Sequence, residues 1–258
     1  MESLTISLVQ ADLKWEDVDA NLRHFDQLLT DVPEESEMLI LPEMFSTGFT
    51  MQVAKFEKPV GRKSFHWLQQ KAKSLQKVLI GSILTEESGR YFNRMYWMRP
   101  DGTYEYYDKK HLFQMGGEHK VMTAGNRQVV VTHKGKRFML QICYDLRFPC
   151  FARNAYQKGN YKYDAIIYIA NWPQVRKQAY MSLLKARAVE NQSFVIWVNR
   201  VGVDGKGVAH SGDTQIVDAT GKTQVIAEKE EQILTHTLDF SALNQFRNRF
   251  QVGLDWDK

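Results

Sequence analysis

The sequence predicts an α/β fold with several hairpins. Strand-like apolar runs alternate with helix-like patterns over the first third of the chain. Further along, turn signals separate shorter strand patterns. Two strand–helix–helix–strand halves, each with a mixed sheet, would bury these apolar runs by packing sheet on sheet, with the helices outside.

The first half of the chain contains patterns for three strands, two helices and a hairpin. Apolar residues at the spacing of one helix face indicate a helix over residues 18–29 and another over residues 65–75. A Pro100-Asp101-Gly102 turn joins the two strands of the hairpin. In chain order these elements cover residues 5–10, 18–29, 38–41, 65–75, 78–84, and 91–98 with 103–107.

The second half continues with further strands and two helices. A strand pair surrounds the Lys134-Gly135 turn, and a helix is expected to begin near residues 147–149. A buried β-rich strand and a longer helix follow, and a Gly/Asp-rich loop precedes the last short strands. These elements cover residues 128–132 with 137–143, 165–170, 178–191, 193–199, 214–217 and 232–238.

The chain is expected to form one domain over residues 1–258. No Pro-, Ser- or Gly-rich stretch and no block of charge divides it, and 43% hydrophobic residues can fill one sizeable core. No apolar run approaches the roughly 18 residues that a transmembrane helix needs. We therefore expect no membrane partner.

Cysteine usage and charge favour a cytoplasmic protein that does not bind nucleic acid. The N-terminus lacks the basic start and apolar stretch of a signal peptide. Two cysteines, seven positions apart, do not make a disulfide framework. The net charge of +4 is mild and basic residues are interspersed with acidic ones, unlike the basic surface of a nucleic-acid-binding protein.

Three separated segments each hold one part of a cysteine-hydrolase site. Glu43 follows the apolar run 38–41, Lys109 lies in segment 108–112, and Cys143 stands between a strand and a predicted helix. In such a site a carboxylate takes the thiol proton, the thiolate attacks, and an ammonium stabilises the oxyanion. Considered alone, Cys143 could equally be a buried structural thiol, and Glu43 a surface residue at a strand end.

Together these segments resemble the nitrilase superfamily, whose members carry a Glu, a Lys and a Cys in this order. Within the superfamily the sequence is most similar to the ω-amidase branch. The resemblance implies a four-layer αββα sandwich of two mixed sheets flanked by helices, and a homodimer or larger assembly. The matching segments cover residues 41–49, 109–113, 117–119, 141–149, 171–173, 184–188, 199–202 and 211–213.

The resemblance also implies a role for each catalytic residue. Glu43 would be the general base, Lys109 would bind the oxyanion, and Cys143 would be the nucleophile. Glu118 matches a second acidic residue that would orient the lysine and the substrate nitrogen. The backbone N–H of Tyr144 would complete the oxyanion site.

Three residues next to this set are expected to have no catalytic role. The superfamily pattern selects Lys109, so Lys110 would be its solvated neighbour and His111 a structural hydrogen-bonding residue. Cys150 matches no motif and is interpreted as structural. The helix predicted after Cys143 is expected to lower the pKa of the Cys143 thiol.

Two residues are predicted to bind the substrate. Arg147 lies four residues after Cys143, where the ω-amidase branch has an arginine. It would bind the far carboxylate of an ω-amide of a dicarboxylic acid. An arginine paired to a surface acid is the alternative. Trp172 leaves a strand beside Asn171 and Pro173, where a pocket wall is expected.

Neither a metal nor an organic cofactor is expected. The histidines are not at metal-site spacing, and the sequence has no CxxC or HExxH motif. Gly221-Lys222-Thr223 lacks the upstream glycine of a P-loop and is interpreted as a turn.

The ω-amidase resemblance implies hydrolysis of 2-oxoglutaramate or 2-oxosuccinamate through a thioester on Cys143. The partner would thus be a small amide that carries a carboxylate. Two alternatives stay open: another amide, carbamoyl-amide or nitrile hydrolase of the superfamily, and a catalytically silent binding protein of the same fold.

Overall fold

Two six-stranded mixed sheets dominate the computed structural model, which describes residues 2–256. Two further pairs of short strands lie outside these sheets. In chain order the strands are β1 (Ser3–Gln10), β2 (Met38–Ile40), β3 (Val78–Glu87), β4 (Arg90–Met98), β5 (Tyr104–Asp108), β6 (Val130–His133), β7 (Lys136–Ile142), β8 (Tyr156–Gln157), β9 (Asn160–Tyr161), β10 (Ala165–Ile169), β11 (Phe194–Val198), β12 (Val201–Val203), β13 (Ala209–Ser211), β14 (Gln215–Val217), β15 (Thr223–Ile226) and β16 (Gln232–Asp239).

Helices flank and connect the strands, and several are single turns. The α-helices are α1 (Val18–Leu28), α2 (Arg62–Leu75), α3 (Glu118–Val121), α4 (Pro149–Ala152), α5 (Lys177–Asn191) and α6 (Phe240–Arg249). The 3-10 helices are Leu29–Asp31, Val53–Lys55, Gln114–Gly116, Cys143–Arg147, Gln174–Arg176 and Val252–Leu254. Across residues 2–256, no helix is long and apolar enough to cross a membrane.

The two sheets share one arrangement, a parallel centre with antiparallel strands at the edges. The first sheet has the order β16-β1-β2-β3-β4-β5, in which β1, β2 and β3 are parallel. The second has the order β15-β14-β11-β10-β7-β6, in which β11, β10 and β7 are parallel. Parallel strands end at the same edge of a sheet, so the loops that leave them can form one site.

The central strands β1, β2 and β3 of the first sheet are mostly buried on both faces, because successive side chains alternate between two apolar cores. Met38 and Ile40 of β2 belong to the core between the sheets, whereas Leu39 belongs to a second core with residues of α1 and α2. Helix α5 packs on β11 and β14 and buries Tyr180 and Leu184. The layers are therefore helix, sheet, sheet, helix, which confirms the predicted four-layer αββα sandwich.

Most predicted strands and helices are confirmed, but two expectations fail and helix α6 was not predicted. The strand predicted to reach Cys143 ends at Ile142. The helix predicted near residues 147–149 is a 3-10 turn followed by the four-residue α4. Helix α6 was missed because its buried face includes Arg247, which is ion-paired with Asp164 and breaks the apolar pattern.

Candidate active site

The ends of three strands bring the predicted catalytic residues into one buried cluster. Glu43 follows β2, Lys109 follows β5 and Cys143 follows β7. The side chains of Glu43 and Lys109 have no exposed area, and Cys143 is 9% exposed. All three line one pocket of about 550 Å³. The structure thus places together three residues that lie far apart in the sequence.

Lys109 lies between two buried carboxylates. Its Nζ is 2.8 Å from Glu43 Oε1 and 2.9 Å from Glu118 Oε2. Asn93 Nδ2 donates hydrogen bonds to both acids, at 2.8 Å to Glu43 Oε1 and 3.2 Å to Glu118 Oε1. The N–H of Phe113 donates to Glu118 Oε2 at 2.6 Å. Each buried charge therefore has a partner, as buried ions require.

These contacts determine the charge of Lys109 and shift the pKa of Glu118. Burial alone would lower the pKa of Lys109, but the carboxylates of Glu118 and Glu43 outweigh burial and raise this pKa. For Glu118, burial raises the pKa, Lys109 opposes the rise, and the charge of Glu43 adds to it. Lys109 is therefore an ammonium at neutral pH, and it faces the pocket.

Cys143 occupies a sharp turn at the start of the 3-10 helix Cys143–Arg147. Its φ of 47° is left-handed, a region that residues with side chains seldom adopt. Burial raises the pKa of its thiol well above the usual value, Glu43 adds to the rise, and Lys109 opposes it. The expectation of a lowered thiol pKa is therefore wrong, because burial and a neighbouring carboxylate outweigh the weak field of one short turn.

Asn171 holds the Glu43 carboxylate beside the thiol. The backbone N–H of Asn171 donates to Glu43 Oε2 at 2.8 Å, and its Nδ2 donates to the backbone oxygen of Glu43 at 3.0 Å. The same N–H interacts with the sulfur of Cys143 and favours its thiolate form. A thiol with a raised pKa needs a base before it can attack, and Glu43 is placed to serve as that base.

Asp145 joins the turn of Cys143 to the segment of Lys109. Its buried carboxylate accepts hydrogen bonds from the N–H of Ile142 at 2.9 Å, the N–H of His111 at 2.9 Å and the hydroxyl of Tyr107 at 2.8 Å. Nδ1 of His111 lies 2.7 Å from the same carboxylate. His111 thus has the structural hydrogen-bonding position that its sequence context predicted.

The roles of Asn93 and Asp145, and the hydrogen bonds of Asn171 to Glu43, were not predicted from the sequence. A polar residue in the middle of the buried strand β4 was the available signal for Asn93. Asp145 and Asn171 lie inside matching segments, but nothing local distinguishes them from their neighbours. The roles of Asp145 and Asn171 depend on contacts between segments that lie far apart in the chain.

We expect the Asp145→Asn substitution to lower the free energy of unfolding by about 3 kcal/mol, because an amide group replaces an acceptor that serves several buried donors. Chemical denaturation of both proteins measures this difference. Asp101→Asn is the matched control, since Asp101 accepts two hydrogen bonds from Thr103 in an exposed turn. Equal losses in the two variants would contradict the role of Asp145.

Arg147, Trp172 and Tyr144 line the pocket together with the catalytic candidates. The guanidinium of Arg147 lies 5.0 Å from the centre of the Trp172 ring, at cation–π distance. The ring of Tyr144 packs at 5.2 Å against that of Phe113. The arginines that form ion pairs in residues 2–256 are Arg94, Arg99, Arg137, Arg187, Arg200 and Arg247. Arg147 is not among them, so no acid within residues 2–256 forms an ion pair with it.

Comparison with known proteins identifies the family of this chain. The sequence pattern of the carbon-nitrogen hydrolase family matches residues 5–248. Omega-amidase YafV of Yersinia enterocolitica is 40% identical over 259 aligned residues, which cover 100% of this chain and 98% of that protein. The 2-oxoglutaramate amidase of Bacillus subtilis (strain 168) is 29% identical, with coverage of 96% and 95%.

A solved structure matches the whole fold. It is XC1258 from Xanthomonas campestris, described as a CN-hydrolase superfamily protein with an arsenic adduct in the active site. Its TM-score is 0.96 at 40% identity, and the match covers 100% of this chain and 98% of that one. The chain therefore belongs to the carbon-nitrogen hydrolase family, which is the nitrilase superfamily, and groups with its ω-amidase branch, as the sequence motifs indicated.

Proposed function

We propose that this protein is an ω-amidase that releases ammonia from 2-oxoglutaramate or 2-oxosuccinamate. The observation that carries the proposal is the pocket itself, in which a buried carboxylate–ammonium cluster adjoins a thiol and Arg147, an arginine that has no ion-paired acid within residues 2–256. The thiol and the carboxylate–ammonium cluster can act on an amide group, and the arginine can bind an anionic group of the same substrate. The names of the relatives, omega-amidase YafV and 2-oxoglutaramate amidase, support the same reaction.

The first half of the proposed reaction forms a thioester. Glu43 takes the proton of Cys143, and the thiolate attacks the carbonyl carbon of the terminal amide. The carbonyl oxygen becomes an oxyanion, which the Lys109 ammonium and the N–H of Tyr144 stabilise. Glu43 then returns the proton to the amide nitrogen, the carbon–nitrogen bond breaks, and ammonia leaves. Glu118 keeps the ammonium of Lys109 oriented.

The second half releases the acid. Glu43 takes a proton from water, and the resulting hydroxide attacks the thioester carbonyl. The same two donors stabilise the second oxyanion. The carbon–sulfur bond then breaks, and Glu43 gives its proton to the sulfur of Cys143, which restores the thiol. One water is consumed, and one carboxylic acid and one ammonia are formed.

The experiment that tests the function is a substrate panel. We expect ammonia release from 2-oxoglutaramate to exceed that from glutamine, asparagine and N-carbamoyl amino acids. Glutamine differs from 2-oxoglutaramate only in having an ammonium in place of the 2-oxo group, so it probes the far end of the substrate. A higher kcat/KM for glutamine or for a carbamoyl compound would contradict the proposal.

We propose that Arg147, held against the ring of Trp172, binds the substrate carboxylate. The Arg147→Ala substitution should lower kcat/KM for 2-oxoglutaramate roughly ten- to a hundredfold, because a hydrogen bond to a charged group contributes about 1.5–3 kcal/mol. Pentanamide, a neutral amide of the same length, should be affected far less. Equal losses on the two amides would mean that Arg147 supports the fold.

The proposal also covers the compartment, the domain organisation and the oligomeric state of the enzyme. We infer that it acts in the cytoplasm, as one domain over residues 1–258 and as a homodimer. Its free thiols suit a reducing compartment. Light scattering of the purified protein measures the mass of the assembly directly, and a monomer's mass would contradict the homodimer.

A further inference from the structure

A second arginine lines the active-site pocket. Arg176 ends the 3-10 helix Gln174–Arg176, in the connection between β10 and α5. Its guanidinium lies 5.2 Å from the centre of the Phe113 ring, which also lines the pocket. Arg147 lies against the ring of Trp172 in the same pocket. Two guanidinium groups are thus positioned by two different aromatic walls of one cavity.

Asp213, which pairs with the neighbour of Arg176 in the chain, and Asp204, which lines the pocket, both have other partners. Asp213 forms an ion pair with Lys177 and accepts a hydrogen bond from the hydroxyl of Tyr180 at 2.6 Å. Asp204 lines the pocket, but its Oδ1 accepts the N–H groups of its own turn at 2.8 and 3.0 Å. Within residues 2–256, no ion pair joins an acid to Arg176, although six other arginines have one.

Within residues 2–256, no other ionisable side chain of the pocket forms an ion pair with Arg147 or Arg176. Glu43 is ion-paired with Lys109, which it shares with Glu118. Burial, followed by the positive field of Arg200, lowers the pKa of His210 to about 4, and Arg176 adds to this effect. The imidazole of His210 is therefore neutral at pH 7. Both pocket arginines remain available to an anion.

We propose that Arg176 is a second substrate-binding residue, which acts with Arg147 to hold the 2-oxo-carboxylate end of the substrate. A 2-oxo acid presents two carboxylate oxygens and a keto oxygen, more acceptors than one bidentate guanidinium can bind. Two guanidinium groups on separate walls can share these three oxygens. This inference rests on the proposed ω-amidase function and names the residues that would recognise the 2-oxo-carboxylate end of its substrate.

The test compares the Arg176→Ala variant with the wild-type enzyme on two amides. We expect kcat/KM for 2-oxoglutaramate to fall roughly ten- to a hundredfold, chiefly through a higher KM. Hydrolysis of pentanamide, which has neither the carboxylate nor the keto group, should change less than about threefold. The Arg176→Lys variant keeps the charge without the bidentate geometry and should lie between the two. An equal loss on both amides, or no loss on either, would overturn the inference.

Arg153→Ala is the matched control. Arg153 is exposed and lies 5.0 Å from the ring of Trp256, so it has the same kind of aromatic contact outside the pocket. This variant should retain the wild-type kcat/KM on both amides. A loss like that of Arg176→Ala would show that removal of any stacked arginine impairs the enzyme, and would also overturn the inference.

Binding of the product separates this inference from the proposed function. Calorimetry with 2-oxoglutarate needs no catalysis, and the Arg176→Ala variant should bind it roughly ten- to a hundredfold more weakly than the wild-type enzyme. If 2-oxoglutarate binding depends on Arg176 while 2-oxoglutaramate is not hydrolysed, only the proposed function fails. If hydrolysis occurs but binding is equal in both proteins, only the role of Arg176 fails.

Discussion

The Cys143→Ala variant should lose turnover by several orders of magnitude while it stays folded, because the proposed reaction passes through a thioester on this sulfur. Cys143 borders both the pocket and the apolar core between the sheets, and its replacement by Ala removes only the sulfur atom, so the fold should persist. Ammonia release measures the loss of turnover, and thermal denaturation shows that the fold persists. Cys143→Ser should be almost as inactive, since a hydroxyl is a much weaker nucleophile.

Cys150→Ala is the control for this prediction. Cys150 is exposed on the four-residue α4 and does not line the pocket, so its removal should cost little activity. Mass spectrometry during turnover should find the acyl group on Cys143. An adduct on Cys150, or an active Cys143→Ala enzyme, would refute the assignment.

The Lys109→Ala variant should lose about 2.7–4 kcal/mol of transition-state stabilisation, as expected when a donor to an oxyanion is removed. It should also lose about 3–5 kcal/mol of folding stability, because Glu43 and Glu118 would remain buried without their shared cation. Lys110→Ala is the neighbouring control. Its side chain is only half-buried and is outside the pocket, so both losses should be small. If Lys110→Ala lost more activity and stability than Lys109→Ala, Lys110 rather than Lys109 would be the lysine of the site.

A double variant separates the two effects of Lys109. Lys109→Ala combined with Glu118→Gln removes one positive and one negative charge, so much of the lost stability should return. Turnover should not return, because the oxyanion still lacks its ammonium. Recovery of both properties would mean that Lys109 only stabilises the fold. The measurements are chemical denaturation and kcat/KM on 2-oxoglutaramate.

Local patterns in the sequence were sufficient for most of the fold. Strands β1, β2 and β3 follow from their continuous apolar runs, and helices α1 and α2 follow from the helical spacing of their apolar residues. Short strands such as β12 and β13 hold too few residues to show a period. Helix α6 was not predicted because its buried face includes the ion-paired Arg247 in place of an apolar side chain.

For the site, the sequence by itself determined the residue types of a cysteine amide hydrolase and their order along the chain. Glu43, Lys109 and Cys143 stand in recognisable local contexts, and such contexts need no knowledge of distant contacts. Only the tertiary structure decided that the thiol has a raised pKa, that Asp145 ties two segments together, and that a second arginine shares the pocket with Arg147. The physical reason is that burial, ion pairing and pocket geometry arise between segments far apart in the chain, and no local pattern records them.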